Sequence, residues 1–330
     1  MRSPRPFLIF PLLFVLALAS LAAALMAGSL SVPPRELLAA LMGEATPDGG
    51  LTAQVLWQLR LPRALSGFAV GGLLALAGAL MQTLLRNPLA DPYVLGISGG
   101  AGVGALTALF LGLAGFWLSG AAFGGALAAL LLVFALAQGD ASGAQTRLLL
   151  TGVVVASGCG AVIALLLALA PETRLRGMLF WLMGDLGSAD APWVSLAALA
   201  AALTLAFPFA RELNLLARNP EVAQTQGVDV RRLRGLVYFI AALATACAVV
   251  AAGTIGFIGL IVPHLVRLAL GSDLRLVLPA AALAGGALLT AADTLARTLI
   301  APEQLPVGVL TALIGVPLFL FLLARTGRRG

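Results

Sequence analysis

Residues 86–100, RNPLADPYVLGISGG, interrupt an otherwise apolar part of the chain. They contain two prolines, one arginine, one aspartate and three glycines, whereas their flanks, 64–85 and 93–139, contain no charge. Prolines and glycines in this density interrupt helices. The pattern therefore predicts a turn followed by a glycine-rich, broken segment between two membrane-length apolar runs.

The composition of the whole chain identifies it as a polytopic membrane protein. Hydrophobic residues make up 61% of the 330 residues, charged residues only 10%, and the mean hydropathy is +1.04. These values lie far outside those of soluble domains. Because one span needs roughly 20 apolar residues, the chain has room for about ten spans and no large soluble domain. Cys159 and Cys247 lie in apolar runs, where a disulfide framework is not expected.

Ten membrane helices are predicted in a single transmembrane domain, 1–330. The apolar run 235–263 is too long for one crossing, and we divide it at its glycines and at Pro263. The first 28 residues resemble a signal peptide, but their apolar run of about 20 residues is long for a signal core, so an uncleaved first helix is expected. The predicted spans are 7–28, 64–85, 93–112, 113–137, 148–170, 191–210, 235–252, 255–266, 276–296 and 305–324.

The arginines predict the orientation of these helices. All twenty basic residues are Arg, and with a cytoplasmic N-terminus fourteen of them fall in inner segments and six in outer segments. An excess of positive charge marks the cytoplasmic side. Both termini are therefore predicted to be cytoplasmic. Since the arginines follow the membrane topology, the net charge of +6 does not indicate nucleic-acid binding.

A second glycine-broken segment, GTIGFIGLIVPHLVR at 253–267, resembles the first in character. In the predicted topology RNPLADP is a cytoplasmic turn, and the backbone of YVLGISGG must be covered by protein or line a cavity. The two segments follow helices of opposite direction, which is the signature of an inverted-repeat transporter. The alternative is that both are close helix-packing sites, where glycine lets backbones approach.

Four blocks of the sequence resemble a known family: RLPR at 60–63, GALMQTLLRNPLADPYVLGISGGAGVGA at 78–105, GTIGFIGLIVPHLVRLALGSD at 253–273 and ADTLARTLIAPEQLPVGVLTALIGVPLF at 292–319. They are similar to the FecCD-type permeases of type II ABC importers, which carry iron chelates and vitamin B12. The resemblance implies ten helices per subunit, a homodimer with its pathway on the twofold axis, two cytoplasmic ATPase subunits and an outer substrate-binding protein. It also implies a bacterial inner-membrane location.

Three arginines, Arg60, Arg63 and Arg297, lie at outer ends of predicted spans, against the general charge pattern. Arg60 and Arg63 are expected on adjacent faces of the first turn of a helix that starts near Pro62. One interpretation is that all three are snorkelling anchors for helix ends. The resemblance implies the other, in which these guanidinium groups receive carboxylates of the binding protein.

The loop 211–234 is the longest predicted inner segment and is interpreted as a cytoplasmic coupling loop. Asn219 is a predicted N-cap, Pro220 follows it, and Gly227 is a suitable stop. Asp229 is expected to cap a second short helix. By resemblance, Glu221, Ala223 and Gly227 match the family's ATPase-coupling loop, although Gln226 stands where a hydrophobic residue is usual. An ordinary arginine-rich retention loop is the alternative.

Two further features have candidate roles. By resemblance, Ala144, Gln145 and Thr146 match the inner gate of the B12 importer permease, although Gln145 is larger than the residue expected there. Asp293 is the one acid inside a confident span, which makes it a functional candidate by default. Its i,i+4 spacing from Arg297 favours a structural ion pair instead. The segment 171–190 is expected to contain a helix in the membrane interface or an aromatic anchor.

The chain itself carries no visible chemistry for driving transport. Without lysine it cannot contain a P-loop, so ATP and Mg²⁺ would belong to a partner subunit. Its single histidine, His264, stands alone and predicts no metal site, and no cofactor is expected. We therefore predict a permease subunit, not an enzyme, whose cargo is a siderophore, haem or cobalamin. The alternatives are a proton-coupled secondary transporter using Asp293 and an intramembrane enzyme, for which no catalytic pair is present.

Overall fold

The computed structural model describes residues 5–28, 32–44, 50–136, 144–187, 191–301 and 303–326. Within these ranges every regular element is helical. The α-helices are α1 (Arg5–Met26), α2 (Pro34–Met42), α3 (Leu51–Val55), α4 (Leu61–Leu84), α5 (Ile97–Leu111), α6 (Phe116–Leu136), α7 (Ala144–Leu169), α8 (Glu172–Met183), α9 (Pro192–Ala206), α10 (Ala210–Arg218), α11 (Pro220–Thr225), α12 (Val230–Ala252), α13 (Ile258–Leu270), α14 (Leu274–Thr298) and α15 (Val307–Thr326).

Ten apolar helices in the described ranges overlap the ten predicted spans. Seven are long enough to cross a membrane, and the other three, at 97–111, 258–270 and 307–322, are shorter. The all-helical membrane fold predicted from the sequence is therefore confirmed. The opposed orientation of two halves and the cytoplasmic position of the termini stay predictions.

Helix α4 forms the centre of the bundle. It packs against α1, α9, α12, α13 and α14, and most of its side chains are fully buried. Its glycines allow these contacts, because a Cβ at Gly71 would lie 2.2 Å from the carbonyl oxygen of Gly285 in α14. Small residues at such crossings let helix backbones approach closely. In contrast, side chains of α7 are mostly exposed, with only 6% of its apolar window buried.

The RNPLADPYVLGISGG stretch turns back into the protein. Residues 86–89 are exposed, but Ala90 is buried, and Asp91 caps a 3₁₀ turn, Pro92–Leu95, by accepting a 2.7 Å hydrogen bond from the N–H of Tyr93. Gly96, with φ +74°, is the N-cap residue of α5, which begins at Ile97. RNPLADP is thus a surface turn only in its first part, and α5 starts later than the predicted span because the 3₁₀ turn precedes it.

The second glycine-broken segment returns toward the predicted cytoplasmic side as a short helix. α12 ends at Gly253, Phe257 has a φ of +69°, and α13 starts at Ile258. The prediction that Pro263 divides this segment is wrong, because Pro263 lies inside α13. Its missing N–H leaves the carbonyl of Gly259 without the usual helical donor. That carbonyl oxygen lies against Gly78 of α4.

The two glycine-broken segments contact each other directly. The hydroxyl of Tyr93 donates to the carbonyl of Ile255 at 3.1 Å and accepts from the N–H of the same residue at 3.0 Å. Nearby, the side-chain amide of Gln82 donates to the carbonyl of Leu260 at 3.0 Å. These hydrogen bonds satisfy backbone N–H and C=O groups, which lipid could not do. The segments therefore form one internal junction between α4, α5 and α13.

Candidate functional site: two ends of the helix bundle

One end of the bundle contains the three arginines singled out in the sequence. Arg63 and Arg297 contact Asp293, and Arg60 lies beside Arg297 at the end of α1. These four residues are called the outer arginine cluster, after the side of the membrane predicted for them. Arg63 makes a bidentate pair with Asp293: its Nε lies 2.9 Å from Oδ2 and its Nη2 2.8 Å from Oδ1. Their side chains are 13% and 5% exposed. Ion pairs of this geometry are strong and directional.

Two neighbours extend the cluster toward the surface. Gln304 accepts a 2.8 Å hydrogen bond from Nη1 of Arg63, and an oxygen of Asp185 lies 3.8 Å from Nη2. Asp185 follows α8 and its side chain is 29% exposed. No sequence pattern indicates either contact, since both residues lie far from Arg63 along the chain. Only the packing of α4 against the end of α8 and the α14–α15 link brings them together.

Arg60 and Arg297 also stabilise the end of α1. Nη1 of Arg60 donates to the carbonyls of Leu25 at 2.7 Å and Met26 at 3.1 Å, and Arg297 donates to the carbonyl of Ala24. The last carbonyls of a helix lack intrahelical donors and carry partial negative charge. Two guanidinium groups therefore complete the C-terminus of α1. The contact is made inside the protein, with Arg60 only 5% exposed, so it differs from snorkelling to the headgroups, and the role of these arginines stays a prediction.

The helix that carries Arg60 and Arg63 does not start near Pro62. It begins at Leu51 in α3 and continues through a π-helical turn, Leu56–Arg60, into α4 without a break. Proline removes a backbone donor and disturbs the regular hydrogen-bond ladder. The π turn immediately before Pro62 lets the chain pass it while remaining helical. The predicted helix start is therefore wrong, although Arg60 and Arg63 do lie in the same cluster.

Asp293 belongs to two ion pairs. The predicted i,i+4 contact exists, with Nε of Arg297 3.8 Å from Oδ2 of Asp293. However, the shorter and bidentate partner is Arg63, 230 positions away in the chain. Asp293 therefore ties α14 to α4 as well as supporting its own helix.

The opposite end of α14 lies beside the predicted coupling loop. With 25 residues, α14 is about 37 Å long. At its start, the side-chain amide of Asn214 in α10 donates to Asp273 at 2.7 Å and its oxygen accepts from the N–H of Leu274 at 2.9 Å. This pair of bonds fixes α10 to the N-terminus of α14. Sequence reasoning did not identify Asn214.

The loop 211–234 contains two short helices, α10 and α11. Asn219 caps α11 as predicted, accepting a 2.8 Å bond from the N–H of Glu221, and Gly227 follows the helix with φ +83°. Ala223 is fully buried, whereas Glu221 and Gly227 are exposed. Ala223 thus holds α11 on the protein and leaves the other two facing outward.

The second short helix predicted after Asp229 does not exist. Asp229 accepts a 3.0 Å hydrogen bond from the N–H of Arg232, but the helix that it caps is α12, which continues for 23 residues. The apolar pattern after residue 235 extends the helix beyond the charged turn. The first short helix, α10, instead comes from the end of the preceding span.

The candidate gate lies at the beginning of α7. Ala144, Gln145 and Thr146 form the first turn of this helix. Their side chains lie outside the described residues. The gate therefore stays a prediction.

An open groove runs beside the second glycine-broken segment. It has a volume of about 550 Å³ and is lined by the end of α8, Thr254 and α15, including Met183, Gly308 and Pro317. The carbonyl oxygens of Met183 and Thr254 lie 2.1 Å and 2.8 Å from where a Cβ of Gly308 would be. Gly308 therefore lets α15 approach the α8 end and forms part of the groove wall.

In the described part of the chain, ten apolar helices form a bundle with a charge cluster at one end and a pair of short helices at the other, which is compatible with the predicted membrane permease. The chain belongs to the FecCD transport family, whose model matches residues 13–325. The predicted resemblance is therefore confirmed over nearly the whole chain.

Relatives in bacteria and archaea cover most of the chain. The chain is 44% identical over 278 residues to the cobalamin import system permease protein BtuC of Halobacterium salinarum, covering 82% of this chain and 74% of that protein. It is 42% identical to the hemin transport system permease protein HmuU of Yersinia pestis, covering 83% and 85%. It is 38% identical to the vitamin B12 import system permease protein BtuC of Klebsiella pneumoniae, covering 96% and 94%.

A solved structure has the same fold. An inward-facing metal-chelate type ABC transporter matches 97% of this chain and 99% of its own with a TM-score of 0.84 and 30% identity. The helix arrangement described above is therefore that of an ABC importer permease.

Proposed function

We propose that two copies of this chain form the conduit of an importer for cobalamin, haem or another iron chelate, driven by two separate ATPase subunits. The observation that carries the proposal is the family match over residues 13–325, together with relatives named as cobalamin and hemin permeases. The groove beside α15 is open and its lining is largely apolar. Such a wall suits passage of a bulky cargo without tight binding.

The exposure of α7 supports the homodimer. This apolar helix has only 6% of its window buried by the rest of the chain, although it contains the candidate gate at its start. In a dimer, facing copies of α7 would enclose a pathway on the twofold axis. The remaining apolar surface contacts membrane lipid, with both termini at the cytoplasmic side of the inner membrane.

Reconstitution tests the proposed function. Vesicles containing the permease alone are expected to show no uphill accumulation of cobalamin or haem. Adding the ATPase, the binding protein and ATP should start import, and replacing the P-loop lysine of the ATPase should stop it. Concentrative uptake by the permease alone, driven by a proton gradient, would contradict the proposal and favour a secondary transporter.

The outer arginine cluster is proposed to receive acidic side chains of the binding protein. Arg60→Glu and Arg297→Glu are expected to weaken docking roughly tenfold or more, and the loss should grow as salt is lowered because like charges are screened less. Measuring binding-protein affinity by surface plasmon resonance at two salt concentrations checks this.

Two controls separate docking from stability in that experiment. Both variants lose hydrogen bonds to α1 carbonyls, so their melting temperatures must be measured beside the affinities. Arg35→Glu makes the same charge change on α2, at an exposed position in the same predicted outer segment. If Arg35→Glu weakens docking as much as the cluster variants do, the cluster is not the docking site.

The start of α7 is proposed to form the inner gate. A Gln145→Cys variant, in a background with Cys159 and Cys247 replaced by serine, is expected to form a disulfide between the two copies when an oxidant is added in the closed state, and to form less of it when the oxidant is added with ATP bound. Val154→Cys, an exposed position further along the same helix, is a matched comparison. If the Gln145→Cys variant forms no cross-link in any nucleotide state, the gate assignment is wrong.

A further inference from the structure

Asp293 contacts two arginines, Arg63 at hydrogen-bond distance and Arg297 at a longer distance. Its carboxylate accepts three contacts from Arg63, at 2.8, 2.9 and 3.2 Å. Nε of Arg297 lies 3.8 Å from the same carboxylate. This Nε is buried and has no hydrogen-bond partner among the described residues. A buried N–H donor is normally hydrogen-bonded. Nε of Arg297 therefore lacks the acceptor that such a donor usually has.

In the observed arrangement Asp293 is hydrogen-bonded to Arg63 and lies beyond hydrogen-bond distance of Nε of Arg297. A bidentate pair with Arg63 fixes both oxygens, and closing the gap to Arg297 requires the carboxylate to shift by roughly 1 Å to reach ordinary hydrogen-bond distance. Arg297 is one helical turn further along α14, so the shift needs only a small side-chain rotation. A second arrangement, in which Asp293 hydrogen-bonds to Arg297, is therefore within reach of a small side-chain rotation.

Arg63 and Arg297 are similarly exposed, Arg297 at 10%, and Arg63 is the one that holds Asp293 in a bidentate pair. Its side chain is 13% exposed, and its outer edge faces Gln304 and the partly exposed Asp185. Asp293 is 5% exposed and lies behind it. An acidic side chain that reaches Arg63 at the surface would compete with Asp293 for its guanidinium.

We infer that Asp293 is an internal counter-ion that occupies Arg63 until an acidic side chain of the binding protein replaces it, after which Asp293 moves onto Arg297. The inference rests on the proposed docking function. Because Arg297 also donates to the carbonyl of Ala24, the exchange changes the contact between α14 and α1. Asp293 is thus a positioning residue that lets α14 respond to docking.

Neutralising Asp293 is expected to strengthen docking. The three arginines with Asp185 and Asp293 carry a net charge of +1, and Asp293→Asn raises it to +2 while removing the competing carboxylate. The binding-protein Kd should fall about tenfold, even though the melting temperature of the permease falls. Docking should no longer stimulate the ATPase in the full complex, since Asp293 cannot transfer. The affinity is measured on nanodisc-embedded permease and the stimulation on the complete transporter.

Asp185→Asn is the matched control, because it changes the net charge equally without removing the bidentate partner of Arg63. Its Kd should change less than about threefold, and its ATPase stimulation should remain. Asp293→Ser, whose hydroxyl can still accept from Arg63, replaces Asp293→Asn if that variant does not fold. A purely structural role predicts the opposite sign: a higher Kd together with a lower melting temperature, which overturns the inference. Failure of the wild-type permease to bind the binding protein overturns the docking function itself.

Discussion

Replacing Gly78 with alanine is expected to prevent accumulation of folded protein in the membrane. A Cβ at this position would lie 1.8 Å from the carbonyl oxygen of Gly259, which is backbone and cannot rotate away. Helices α4 and α13 would have to separate, and α4 is the centre of the bundle. Overpacking of a close contact commonly costs about 1–3 kcal/mol, and a backbone clash of this depth belongs at or above the upper end of that range.

A matched substitution distinguishes this clash from the general effect of a glycine-to-alanine change. Gly124 lies in α6, and a Cβ there would meet nothing within 4 Å. Gly124→Ala should therefore express like the wild type. Detergent extraction followed by size-exclusion chromatography measures both variants. A monodisperse Gly78→Ala protein with a wild-type melting temperature would show that α4 and α13 do not pack as described.

Replacing Gly227 with tryptophan is expected to reduce ATP-driven import by roughly tenfold or more while ATP hydrolysis continues. The position is exposed, and a Cβ there meets nothing within 4 Å. The subunit itself therefore has space for the new side chain. An effect on transport would come from the surface that α11 presents to another protein, which is the proposed ATPase.

The backbone of Gly227 requires one control. Its φ of +83° is unfavourable for residues with a Cβ, so any substitution carries about 1 kcal/mol of strain. Gly227→Asn adds a small side chain that tolerates this conformation and should retain most import. Equal loss in the asparagine and tryptophan variants would attribute the effect to backbone strain instead of to the ATPase contact. Import and hydrolysis are measured together in vesicles.

The sequence predicts the ten apolar helices well because nearly all are uncharged runs and most approach the length of a span. It predicts their ends less well where proline is involved. Pro62 and Pro263 do not end helices: a π turn precedes the first, and the carbonyl left free by the second lies against Gly78. The π turn is a local departure that apolar patterning does not reveal, and the contact of the Gly259 carbonyl depends on tertiary packing. Similarly, Asp229 is a correct cap whose helix is much longer than expected.

Only some residues of the candidate site can be identified from the sequence. Their charge and their place at helix ends identify the arginines, and Asn219 and Gly227 are recognised by local capping rules. The contacts of Arg63 with Asp185 and Gln304 are not predictable in this way, since they depend on how distant helices pack. The sequence also does not show that Arg60 and Arg297 donate hydrogen bonds to the carbonyls at the end of α1.

The burial of α4 has a consequence for how the protein is made. α4 is apolar enough to enter the bilayer on its own, yet 89% of its apolar window ends up covered by protein. Most of the contacts that bury α4 come from α9, α12, α13 and α14, which are synthesised after it. The face of α4 that α14 covers must therefore stay in contact with lipid, or with an insertion factor, until translation has passed Thr298. The last third of the chain completes a structure whose central element was synthesised in the first.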